Sequence, residues 1–99
     1  MKIDLAKHIS WQIVPDHSFA YVFNIVDKKY YVFRNTELFI WELVAESGGI
    51  DANAILTEVS KYYELEEKDV KDDITEFINS LYETGVISID GIDRYKKVL

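Results

Sequence analysis

A chain of 99 residues with 48% hydrophobic and 29% charged content is read as one compact domain with one core, too short for an enzyme built around an interdomain cleft. Its formal net charge of -7 opposes a nucleic-acid backbone, which is held by clustered Lys and Arg. Without cysteine there is no disulfide framework, thiolate metal site, iron-sulfur cluster or cysteine nucleophile.

The N-terminal MKIDLAKHIS lacks the apolar core of a signal peptide, and no apolar run has bilayer length. A cytoplasmic protein without membrane contact is expected. Residues 8–15, HISWQIVP, form a first strand that stops at the only proline, and Pro15-Asp16-His17-Ser18 is turn chemistry. FAYVFNIV, residues 19–26, alternates as a strand, with Phe19, Tyr21, Phe23 and Ile25 on one face and Ala20, Val22, Asn24 and Val26 on the other. Asp27-Lys28-Lys29 reverses the chain into a third strand, Tyr30 to Arg34, at the edge of an antiparallel meander.

Asn35 or Thr36 is placed to cap a first helix, with Glu37 in its first turn. Its apolar stripe runs through Leu38, Trp41 and Ala45, widened by Phe39, Ile40 and Leu43, and Gly48-Gly49 end it. Asp51 caps a second, short amphipathic helix, AILTEVSKYY. A third is expected from about Glu66 to Thr84 on the stripe Val70, Ile74, Phe77, Ile78 and Leu81, with Gly85 as its stop. VISI, residues 86–89, is a short strand, Asp90-Gly91 a turn back toward Tyr95, and Lys96 to Leu99 a frayed tail.

Chemistry-bearing motifs are sparse. His8 and His17 are read as surface residues, because an Asp16-His17 pair lacks the further ligands or the pocket that metal and acid/base sites need. The acidic run ELEEKDVKDD, residues 64–73, lacks the glycine and alternating ligands of a calcium loop; it reads as a solvated helix N-terminus, with docking of a basic partner as the other option. Gly48-Gly49 has neither the third glycine nor the lysine of a phosphate loop. Neither an enzyme nor a bound cofactor or metal is expected. The aromatic edge strand leaves two readings open: Tyr31 and Phe33 in the core with Tyr30 and Val32 under a helix, or an exposed edge beside an apolar groove, ready for strand addition.

The element order is that of a winged helix-turn-helix, an α+β fold in which a three-stranded antiparallel sheet is followed by three helices and a short C-terminal strand or wing. Its spacing is Phe33-Arg34-Asn35-Thr36, Ile40-Trp41 and Leu43, a glycine break, Ile55, Val59 and Tyr62-Tyr63, then Val70, Asp73-Ile74, Phe77-Ile78, Leu81 and Gly85-Val86-Ile87. This pattern, over about residues 13 to 87, resembles the PqqD-like family, the recognition elements of ribosomally synthesised and post-translationally modified peptides (RiPPs). Arg34 stands where that family often has asparagine, and SIDGIDRYKKVL continues where many members stop.

The resemblance implies a single recognition domain over 1–99, with its core at about 8–89. Such a domain binds the leader of a precursor peptide as a strand antiparallel to its third strand and presents it to a modifying enzyme such as a radical S-adenosylmethionine enzyme, a peptidase or a cyclase. Carried over, the peptide-binding residues are Lys29, Tyr30, Tyr31, Val32, Phe33 and Arg34 on the strand and Val70, Asp73, Ile74 and Phe77 on the helix. Tyr30 and Val32 would wall the groove, and Asp73 would meet a basic or hydroxyl group. A monomer or weak homodimer that binds no nucleic acid is implied; a winged-helix regulator or a dimerisation module are the alternatives.

Overall fold

The computed structural model describes residues 1–95. In chain order the elements are β1 (Lys2–Leu5), β2 (Ile9–Ile13), β3 (Ala20–Asn24), β4 (Lys29–Phe33), α1 (Thr36–Ser47), β5 (Ile50–Asp51), α2 (Ala52–Tyr63), α3 (Glu67–Glu83) and β6 (Ile87–Ile89). The α+β order of antiparallel meander, three helices and short C-terminal strand is the expected one, with ends within about two residues. A second antiparallel sheet, β5-β1-β6, was not expected; β1 joins segments far apart in the chain, pairing Ile3 with both Ile50 and Ile89.

The meander β2-β3-β4 follows the alternation of its sequence. Ala20, Val22 and Asn24 are buried on the inner face with Phe33 opposite Ala20, whereas Tyr21 and Tyr30 point outward. Helix α1 is apolar around most of its circumference because it is enclosed by β1, β4, β5 and α2; Leu38, Ile40, Trp41 and Val44 are buried. Trp41 meets Phe33 at 5.3 Å and Trp11 at 6.0 Å between ring centroids.

Gly48, at φ 67, ends α1 as read from the sequence. Asp51 caps α2, its Oδ1 accepting the Asn53 N–H at 2.8 Å; that bond, followed by the Met1 amino group, holds its carboxyl below the ordinary 3.8. Asn35 does not cap α1 through its side chain. The Arg34 carbonyl instead accepts from the N–H groups of Glu37 (3.1 Å) and Leu38 (3.4 Å), which leaves the cap side chain without a task.

His8 is not a plain surface residue. Its ring is half-buried, with Nε2 2.9 Å from the Gly85 carbonyl oxygen, and it stands edge-on to Tyr95 at 4.7 Å. Tyr95 arrives because the Asp90-Gly91 turn reverses the chain, with Ile89 and Ile92 bridged by 2.9 and 3.0 Å bonds. The Tyr95 hydroxyl donates to Asp27 Oδ2 (2.5 Å) and accepts from the amide of Asn24 (2.8 Å), which also donates to the Thr84 carbonyl (2.8 Å). Asn24 Oδ1 accepts from the Val26 and Asp27 N–H groups, so a fully buried amide fixes the β3–β4 turn. Only glycine fits at 85: φ is +78 and a Cβ would lie 2.5 Å from the Tyr95 hydroxyl. His17 is exposed and pairs with Glu42, while Asp16 accepts from Ser18, so Asp16 and His17 form no unit. Lys96 to Leu99, the expected frayed tail, lie outside the described residues.

Candidate peptide-binding site

The polarity of the meander's hydrogen bonds decides what β4 offers. Val14 N–H donates to Phe19 (3.0 Å) and Ile25 N–H to His8 (3.0 Å), so the main chains of Tyr21 and Phe23 face β2. By alternation those of Ala20, Val22 and Asn24 face β4, where they meet Phe33, Tyr31 and Lys29. The N–H and C=O groups of Tyr30 and Val32 therefore point to the outer edge of β4, where no strand of the described residues pairs with them.

Beyond the end of β4 lies a pocket of about 320 Å³. Helix α3 contributes Val70, Asp73, Ile74 and Phe77, all four of the helix residues singled out from the sequence. Helix α1 adds Thr36, Glu37 and Ile40; the end of α2 and the loop after it add Val59, Tyr63 and Leu65. The Phe77 ring meets Phe33 edge-on at 5.5 Å, which joins the pocket to the inner face of β4. Leu65 was missed in the sequence, where a lone apolar residue within the acidic run 64–73 was the available signal, and it is 49% exposed; Ile40, Val59 and Tyr63 read there only as core stripe.

The strand residues divide. Phe33 is buried, and Tyr31 is half-buried on the same face, turned toward the helices. The side chains of Tyr30 and Val32 are on the outer face, where Tyr30 packs on Phe23 at 4.7 Å and Val32 lies opposite Tyr21. They do not wall the pocket with α3; what they place at the edge is main chain. Lys29 and Arg34 are exposed at the two ends, the Arg34 guanidinium 5.2 Å over the Phe19 ring. The exposed stretches 64–69 and 71–73 form the solvated acidic face read from the sequence.

Among the described residues no helix is long and apolar enough to cross a membrane. No curated protein matches the chain. Among solved structures, "TbiB1 in Complex with the TbiA(beta) Leader Peptide" is similar at a TM-score of 0.76 and 15% identity, covering 90% of this chain and 96% of that one. The family model described as "Coenzyme PQQ synthesis protein D (PqqD)" matches residues 20–87, which take in the whole of β3, β4, all three helices and the start of β6. On that match the chain belongs to the PqqD family.

Proposed function

We propose that this protein is a RiPP recognition element. It binds the leader of a ribosomally made precursor in the cytoplasm, as a strand added to β4, and presents it to a modifying enzyme such as a radical S-adenosylmethionine enzyme, a peptidase or a cyclase. It does no catalysis itself. The observation that carries the reading is the open main-chain edge of Tyr30 and Val32, continuous through Phe33 and Phe77 with an apolar pocket. Edge pairing sets register and pockets for side chains set selectivity. The leader of TbiB1's own complex supports the same use of a shared fold. Lys29 to Arg34 with Val70, Asp73, Ile74 and Phe77 form the contact zone, Tyr30 and Val32 through their main chain.

Helix α3, the groove-reading helix of a DNA-binding winged helix, carries six carboxylates (Glu67, Asp69, Asp72, Asp73, Glu76, Glu83) against Lys68 and Lys71, which disfavours a phosphate backbone. Ordering the leader costs roughly 2 to 5 kcal/mol, so micromolar or somewhat tighter binding is expected. The test is a titration with the leader of the precursor encoded beside this gene, followed by backbone amide shifts. Residues 29–34 and 70–77 should move together; saturation that leaves both segments unmoved refutes the groove.

A further inference from the structure

The pocket lies past the C-terminal end of β4, against Thr36 and Glu37 of α1, rather than alongside the strand. A peptide running antiparallel to β4 enters at Phe33 and leaves at Lys29. The pocket therefore meets the stretch just ahead of the residues that pair. Its walls are apolar, with Tyr63, Val70 and Phe77 among them, and its volume of about 320 Å³ is large enough for an aromatic or long aliphatic side chain.

The charge on that pocket has one sign. Among the described residues Glu37 and Asp73 are its only carboxylates and no Lys or Arg lines it. Of the basic residues within two positions of its lining, Arg34 covers Phe19, Lys71 lines a separate cleft with Asn53 and Asn79, Lys61 lines another with Phe39 and Tyr62, and Lys68 lies on α3 two residues before Val70. Both carboxylates are exposed, so a cation reaching them keeps its hydration and adds selectivity more than affinity.

Resting on the proposed leader binding, we infer that the pocket between α1, α2 and α3 selects an apolar anchor with a Lys or Arg beside it, supplied by the leader segment that precedes its β-pairing residues. Glu37 and Asp73 are the specificity-determining residues.

Phage-displayed random peptides selected on the wild type and on Glu37→Gln/Asp73→Asn test this. On the wild type, enriched sequences should share a bulky apolar residue next to Lys or Arg, ahead of an extended segment. The double variant should enrich the apolar residue without the basic one. In a selected synthetic peptide, Lys→Gln should weaken wild-type binding roughly two- to tenfold at low salt and leave the variant's affinity unchanged. Both substituted side chains are exposed, so folding is kept, and a matching circular dichroism melt verifies it. Peptides that lose binding to Val32→Pro but show no basic preference, or keep it on the double variant, overturn the pocket assignment and leave edge pairing standing. No enrichment on the wild type, or binding indifferent to Val32→Pro, overturns both.

Discussion

Tyr95 closes a polar cluster whose members are far apart in sequence. Burial, then the hydrogen bond to the Asp27 carboxylate, push its phenol above the ordinary 10.0. The folded chain thus keeps this proton at a pH where the unfolded chain has begun to lose it. The contribution is fully present below pH 10.0 and declines as pH rises toward the folded value. Tyr95→Phe should cost about 1 to 3 kcal/mol near neutrality, by loss of a charge-assisted bond. Urea midpoints of the two proteins should converge as pH rises beyond 10.0; a gap that stays constant would remove the phenol from the account. The sequence held half of this cluster: Asn24 was visible as the polar member of a face with Ala20 and Val22. Its partners Thr84 and Tyr95, 60 and 71 residues on, were not, because a hydrogen bond between segments so far apart leaves no periodic trace. His8 was misread for the same reason.

At the scale of the element, β4 separates two properties that a sequence string merges. Apolarity in Tyr30-Tyr31-Val32-Phe33 shows that a strand exists; which main-chain groups are free follows only from the parity of the neighbouring ladder. With Phe33 in the core, Tyr31 shares its face and Tyr30 and Val32 turn outward. The same residues whose side chains leave the groove present their N–H groups to the edge. Val32→Pro removes one of those and none of the β3–β4 bonds. Leader affinity should fall about tenfold or more, while the urea midpoint moves little. Equal losses of binding and stability would show that this N–H serves the fold. The three helices were legible because their stripes, caps and stops are local, the stop at Gly48 and the cap at Asp51 above all. Of the two caps expected, Asn35 or Thr36, Asn35 takes the N-cap position but not through its side chain, since the preceding carbonyl accepts from the same N–H groups.

For the whole molecule, β1 decides cohesion. It has four residues, KIDL, too few for a period to stand out, and both partners lie beyond the meander, so nothing in its own sequence announced it. Ile3 at its centre is fully buried between Ile50 and Ile89. Ile3→Ala should cost about 2 to 5 kcal/mol in urea unfolding, with the slope against urea unchanged. Leader binding by the fraction that remains folded should keep its affinity, because Ile3 lies in the other sheet from β4. A drop in affinity without a drop in stability would contradict that division. The pairing of β1 also sets a schedule for synthesis. The hairpins β2-β3-β4 close over short loops and are available early, whereas Ile3 is made well before its partner Ile89 and waits for it before its sheet is complete. A nascent chain paused before β6 would hold a formed, open β4 edge on an unsealed body, with the apolar strand β1 exposed to chaperones until β6 arrives.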